Sequence, residues 1–307
     1  MIFSSRGEFL NKEQRLLVAV DVDGTLLNTE FDDVLGQREI SAMKAVRAAG
    51  HELALCTGRN TRSVNSLLDQ SGWNPDDMPM VLLNGALVKG GSPRRQLDRR
   101  VVDGRLIEQL VPMFRNHGTV PMIYGTDEDG GVLHHESRPL NNILGRYIQM
   151  RSHTVGAIEI MEDLLEIPWQ EALEVGTIDV QDKIFALTAE IRAKLDGQVI
   201  VINTRSLLGD GRYYWAEVYR AGSDKGSGVR TLADSCGLAT SRVVAIGDNY
   251  NDLAMFEVAG CSVAMANSPD EVKSHADMVT GDVSSGGAAV ILERIAAGQF
   301  TWGNQAG

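Results

Sequence analysis

Apolar and polar positions follow two rhythms along this chain. Leu16-Leu17-Val18-Ala19-Val20 is an uncharged run of strand length, the pattern of a strand buried on both faces. From Gln37 to Ala49 the apolar residues Ile40, Met43 and Val46 fall at three-residue steps, with Gly50 beyond, which predicts a helix and its end. Glu52 to Cys56 reads as a second strand, the stretch through Ser63, Leu67 and Leu68 as a helix, and Pro79 to Leu83 as a third strand closing on Asn84-Gly85. Strands and helices alternating at this spacing predict a parallel, right-handed α/β sheet.

The rhythm changes near residue 88. The basic, turn-rich stretch Lys89 to Arg95 marks a crossing between domains. Past it the pattern predicts helices near Leu106 to Phe114, Ile143 to Met150 and Thr188 to Leu195. Pro112 would kink or shorten the first of these. Strands are predicted at Val120 to Tyr124, Val132 to His135, Val175 to Val180, Val199 to Ile202 and Tyr213 to Tyr219, with a hairpin turn at Asp127 to Gly131. This middle section reads as antiparallel α+β. Alternation resumes at Lys225, where Val229, Leu232, Ala233 and Cys236 form a helical stripe ended by Gly237. Strands follow at Arg242 to Ile246, Cys261 to Met265 and Met278-Val279. Asn267-Ser268-Pro269-Asp270-Glu271 has the composition of a helix start, and Gly287 to Ile295 is a closing helix. The expected organisation is an α/β, Rossmann-like parallel-sheet core (residues 1–87 and 220–307) with an inserted α+β cap domain (88–219).

Composition narrows the function classes. With 307 residues, 43% of them apolar, the chain is long enough for two cores. A net charge of −12 argues against a nucleic-acid groove or an anionic membrane surface as partner. Cys56, Cys236 and Cys261 fit neither a zinc pattern nor a disulfide framework. The start, Met1 to Glu8, lacks the apolar core of a signal peptide, and no stretch has the length of a membrane span. A cytoplasmic setting is expected, with buried, reduced thiols.

Four strand ends carry the candidate chemistry: Asp21-Val22-Asp23, Thr57-Gly58, Asn84-Gly85 and Gly247-Asp248-Asn249-Tyr250-Asn251-Asp252. Parallel strands aim their carboxyl ends at one edge of the sheet, which is where ligands bind in open α/β folds. Convergence there gathers Asp21, Asp23, Asp248 and Asp252. Two carboxylates about 4 Å apart repel by roughly 4 kcal/mol at an effective dielectric near 20. Four together call for a hard divalent cation such as Mg²⁺, which takes oxygen ligands. Lys225, at a helix start, adds a positive charge and backbone N–H donors suited to a phosphate. Taken singly, these residues have blander readings. Asp248 and Asp252 would cap the helix through Leu253, Thr57-Gly58 would be a turn, and Lys225 a solvated helix-start residue. The Lys-Gly-Ser-Gly order is not that of a nucleotide P-loop, and the Asp21 run is not an EF-hand. His134 and His135, adjacent on a strand, point to opposite faces and make a poor metal pair.

In sequence order, Asp21-Val22-Asp23-Gly24-Thr25, Thr57-Gly58-Arg59, Lys225-Gly226 and Gly247 to Asp252 resemble the four signatures of the haloacid dehalogenase superfamily of aspartate-nucleophile phosphatases. Asn84-Gly85-Ala86 and the large insert resemble its Cof-type branch with a class-IIB cap. The resemblance implies a Mg²⁺-dependent phosphatase of small phosphorylated metabolites, sugar phosphates foremost, acting through an aspartyl-phosphate. It makes Asp21 the nucleophile and Asp23 the general acid and base. Mg²⁺ would be held by Asp21, Asp248 and the Asp23 carbonyl, with Asp252 binding directly or standing behind them. Thr57, Gly58, Lys225 and Asn251 would hold the phosphoryl group, and Asn84 and Arg59 would be further substrate contacts. A phosphomutase and a non-catalytic phosphometabolite-binding protein are the alternatives on the same scaffold.

Overall fold

A computed structural model of the protein describes residues 15–28, 34–92, 95–125, 131–152, 155–169, 172–206 and 208–301. Residues 1–14, Arg94 of the basic crossing and most of the turn expected at Asp127 to Gly131 lie outside the described residues.

In chain order the first elements are β1 (Leu17–Val20), α1 (Gln37–Ala48), β2 (Glu52–Cys56), α2 (Thr61–Gln70), β3 (Met80–Leu82), β4 (Leu87–Lys89) and β5 (Gln96–Arg99). The middle section holds α3 (Gly104–Asn116), β6 (Met122–Tyr124), β7 (Val132–Glu136), α4 (Asn142–Arg151), β8 (Ala157–Met161), β9 (Glu174–Val180), α5 (Gln181–Lys194), β10 (Val199–Ile202) and β11 (Tyr213–Arg220). The chain closes with α6 (Lys225–Cys236), β12 (Val243–Gly247), α7 (Leu253–Val258), β13 (Cys261–Ala264), α8 (Asp270–Ser274), β14 (Met278–Val279) and α9 (Gly287–Ala296). The described residues fall into two compact units, one made of those within 1–57, 67–98 and 224–307 and one of those within 58–66 and 99–223.

The first unit is built on a sheet of order β14-β13-β12-β1-β2-β3-β4-β5. From β14 to β3 every pairing is parallel, and β4 turns back antiparallel on β3. β1 lies between β12 and β2, with Val18 opposite both Val244 and Leu53. All four β1 side chains are fully buried, as an uncharged strand covered on both faces requires. Leu17, Ala19, Ala54, Val81, Val229, Leu232 and Phe256 share one core, which fixes α6 and α7 on the sheet. Gly237, in the left-handed conformation, ends α6.

The second unit is a sheet of order β10-β11-β9-β6-β7-β8, antiparallel apart from the β7–β8 pair. Leu106, Ile107, Leu110 and Phe114 of α3 and Ile184, Leu187 and Ile191 of α5 pack with Ile123, Val175 and Val218 of the sheet.

The mixed α/β architecture is as expected, with four departures in detail. β4 and β5 extend the first sheet into a stretch read as a crossing between domains. They are three and four residues long, too short to show a period of two. β8 is an edge strand with a largely exposed, irregular burial pattern, so it leaves no alternation to read. α5 starts at Gln181, well before the expected Thr188. Pro112 lies inside α3 without ending it, because Leu110, Val111, Met113 and Phe114 around it are all buried. Cys56 and Cys261 are buried free thiols and Cys236 is half-buried. No helix among the described residues is long and apolar enough to cross a membrane.

Candidate active site

Beyond β1 the chain keeps its pairing for one more residue, the Asp21 N–H donating to the Ile246 carbonyl at 2.9 Å. It then folds back sharply, the Leu26 and Leu27 N–H groups reaching the Val22 carbonyl at 2.9 and 2.8 Å. Gly24 makes this turn with φ +89°, and a Cβ there would lie 2.2 Å from Oδ2 of Asp248. Only glycine meets both conditions. The loop therefore brings Asp21 and Asp23 against the end of β12, where Asp248 begins the next connection.

Asp252 serves two purposes. Its Oδ2 accepts the N–H groups of Asp248 and Asn249 at 2.8 and 3.0 Å, bracing the short turn Tyr250–Asp252 ahead of α7, while α7 itself has no side-chain cap. Its Oδ1 accepts from Lys225 Nζ at 2.6 Å. Lys225 also donates to Asp21 Oδ1 at 2.7 Å. α6 delivers this lysine: Asp224 caps its N-terminus, taking the Ser227 N–H at 2.7 Å, and Lys225 follows as its first residue. Lys225 is 1% exposed, Asp252 0%, Asp21 4% and Asp248 8%, so the solvated-lysine reading fails.

The electrostatics of this cluster are unbalanced. Burial raises Asp21 to about 7, with Asp252 and Asp23 adding to it against the downward pull of Lys225. Asp248 is pushed well up by burial, then by Asp21 and Asp252. Burial acts to lower Lys225, but Asp21 and Asp252 override it and hold the ammonium protonated. One cation thus faces three buried carboxylates. Ligand oxygens of Asp21, Asp248 and Asp252 all lie within 4.8 Å of one another. This oxygen-only, charge-deficient set fits a hard divalent cation.

The other expected site residues divide between the units. Thr57, the residue after β2, is fully buried, its N–H donating to the Val81 carbonyl at 2.8 Å. The turn after β3 places Leu83 and Asn84 at φ 47° and 50°, followed by Gly85 at φ 99°. Such a conformation is strained for a leucine and persists only where its surroundings impose it. Here the Asn84 N–H donates to the Thr57 carbonyl at 3.1 Å, and Asn84 Oδ1 accepts from Asn251 Nδ2 at 3.0 Å. Asp21, Asp23, Thr57, Asn84, Lys225, Asp248, Asn251 and Asp252 belong to the first unit, whereas Gly58 and Arg59 fall in the second. There Arg59 is buried and donates to Ser63 Oγ at 3.4 Å.

Two further residues touch Asp248, a role the sequence does not assign to either. Thr25 Oγ1 donates to Asp248 Oδ1 at 3.4 Å, and Asn267 reaches both the Gly24 carbonyl and Asp248. Thr25 was part of the first signature and carried no separate role. Asn267 lies in the stretch with the composition of a helix start, but α8 begins after Pro269 and has no side-chain cap. A proline one residue before Asp270 moves the helix start past the asparagine, which frees its amide to turn back.

Comparison with known proteins agrees with this architecture. The family model of haloacid dehalogenase-like hydrolases matches residues 18–292. A 5-amino-6-(5-phospho-D-ribitylamino)uracil phosphatase of Bacillus subtilis is 27% identical over 292 residues, covering 92% of this chain and 99% of that protein. A pyridoxal phosphate phosphatase of Escherichia coli is 26% identical over 270 residues, covering 87% and 93%. Among solved structures, a sugar phosphatase of haloacid dehalogenase subclass IIB superposes with a TM-score of 0.73 at 19% identity, covering 93% of this chain and all of that one.

Proposed function

This chain belongs to the haloacid dehalogenase-like hydrolase family, and on that premise we propose that it is a Mg²⁺-dependent phosphatase of small phosphorylated metabolites, sugar phosphates foremost. The observation that carries the reading is Lys225, buried between Asp21 and Asp252 beside Asp248. No part of a purely structural role calls for three carboxylates and one ammonium out of water.

Asp21 acts as nucleophile. Its carboxylate oxygen forms a bond to phosphorus as the ester oxygen leaves, giving an aspartyl-phosphate. Asp23 gives its proton to the departing alcohol, then takes one from the water that cleaves the acyl-phosphate and restores Asp21. Lys225, Thr57 and Asn251 of the first unit hold the phosphoryl oxygens, with Asn84 orienting Asn251 through their amide pair. Asp21, Asp248 and the Asp23 carbonyl would hold Mg²⁺, whose bound charge offsets that of the phosphoryl oxygens. Asp252, with both oxygens engaged by Lys225 and by backbone N–H groups, acts behind these ligands.

The substrate class draws on the relatives, whose named substrates are phosphate monoesters of small polar molecules. A panel of sugar phosphates, pyridoxal phosphate and a ribityl-pyrimidine phosphate, assayed with Mg²⁺ for inorganic phosphate, tests it. Release from sugar phosphates at the highest kcat/KM supports the reading. Conversion to an isomeric ester without phosphate release would make the enzyme a mutase.

The cluster also sets a pH dependence. An unfolded aspartate titrates near 3.8, while Asp21 in the folded, metal-free protein titrates at about 7. The folded state therefore binds the extra proton between those values, and the stability of the metal-free protein falls as pH rises through that window. A cation competes with the same proton. The Mg²⁺-induced rise in Tm should accordingly be larger at about pH 8 than at about pH 5.5. A rise that is constant or reversed across this range would place Mg²⁺ away from Asp21 and Asp248.

A further inference from the structure

β13 sends a further residue to the edge that β1 and β12 supply. The Met265 N–H donates to the Gly247 carbonyl at 3.0 Å, so the pairing with β12 runs past the end of β13. Two residues on, Asn267 spends its whole amide on three partners. Nδ2 donates to the Gly24 carbonyl at 2.9 Å and to Asp248 Oδ2 at 3.4 Å, while Oδ1 accepts the Val283 N–H at 3.0 Å. Gly24 and Asp248 approach so closely that a Cβ on the glycine would lie 2.2 Å from Asp248 Oδ2. Val283 opens the short turn Val283–Ser285, well away in sequence from both.

We infer that Asn267 is a positioning residue for the cation, locking the loop after Asp23 to Asp248 and anchoring both to the turn at Val283. The inference rests on the proposed metal-binding role of Asp21 and Asp248. The chemistry explains the residue type. The Gly24 carbonyl needs a donor, the Val283 N–H needs an acceptor, and one carboxamide supplies both without adding charge. Its long contact with Asp248 restrains the carboxylate while leaving oxygen lone pairs for a metal. Residues that orient metal ligands in this way typically control affinity by about 10–100-fold.

Two variants separate positioning from mere structure. Asn267→Ala removes all three bonds. Val283→Pro removes only the N–H that anchors Asn267 Oδ1. Val283 is the first residue of its turn and follows Asp282 in an extended conformation, so proline suits the backbone there. Mg²⁺ binding is measured on the purified full chain by calorimetry, alongside kcat at saturating Mg²⁺. The Kd for Mg²⁺ should rise about tenfold or more in Asn267→Ala and by a smaller factor, about two- to fivefold, in Val283→Pro. In both, kcat should largely recover when Mg²⁺ is saturating. An Asn267→Ala protein with lowered Tm and unchanged Kd would show a structural strut only and overturn the inference. If that variant does not fold, an unchanged Kd in Val283→Pro overturns it instead. A parent chain that binds no Mg²⁺ would overturn the metal-dependent reading and this inference together, whereas a binding parent with unaltered variants overturns this one alone.

Discussion

The Asp21→Asn protein is expected to release phosphate at least about a thousandfold more slowly than the parent while retaining its fold, since losing a nucleophile removes most of the acceleration at a covalent site. A carboxamide nitrogen and oxygen are poor nucleophiles at phosphorus, and the amide is a weaker ligand for a hard cation. The fold is expected to survive for a reason specific to this cluster. Asp21 is buried and held up to about 7 chiefly by burial, so its ionised form is a burden on the metal-free protein at neutral pH. Replacing it with a neutral isostere removes that burden, and Lys225 keeps its bond to Asp252 at 2.6 Å. The Tm without Mg²⁺ should be unchanged or higher, and the Mg²⁺-induced rise should shrink. The mechanism is falsified if the purified variant keeps near-parental turnover.

Lys225→Met should lose both activity and stability. The ammonium is out of water and bonded to two buried carboxylates. Removing one partner of a buried ion pair typically costs about 3–5 kcal/mol, because the partner charge is left uncompensated. Here two carboxylates would be stranded. The expected loss diminishes on acidification, since Asp21 then takes up a proton at smaller cost. Chemical denaturation of parent and variant at about pH 5.5 and about pH 8 measures this directly. A variant as stable as the parent at the higher pH would show that Lys225 bears no such load. Phosphate release should fall along with stability, because the same ammonium is proposed to hold a phosphoryl oxygen.

Much of the first unit could be read from the chain because its strands are buried on both faces. Runs such as Leu17 to Val20 and Val243 to Gly247 leave no polar position to confuse with an edge. The carboxylates stood out for the same reason, as charges placed where an apolar run ends. Some strands were lost: β4 and β5 flank the basic, turn-rich stretch that reads as a crossing, and β8 at a sheet edge lacks a buried face. What the sequence could not convey at the site was side-chain direction. Nothing in Asn267-Ser268-Pro269 distinguishes an asparagine that caps the next helix from one that turns back to Gly24 and Asp248. Asp252 shows the converse. Capping α7 and joining the charge cluster are alternatives on the sequence, yet its carboxylate leaves α7 without a side-chain cap and divides between the N–H groups of the preceding turn and Lys225.

The turn at Leu83-Asn84-Gly85 bears on how this protein can vary. Leu83 holds a left-handed backbone yet is buried at 4% exposure, so glycine would ease the backbone at the expense of its packing. Asn84 tolerates the conformation better than most residues, but its side chain is committed to Asn251. Gly85 has no room to grow, since a Cβ would lie 2.2 Å from the Asp224 carbonyl oxygen at the start of α6. Three consecutive positions are thus closed to substitution for three unrelated reasons. No single compensating change elsewhere reopens more than one of them. In a saturation library this tripeptide should stand out as a trough of mutational tolerance, its depth set by backbone angle, packing and the adjoining backbone of Asp224 at once.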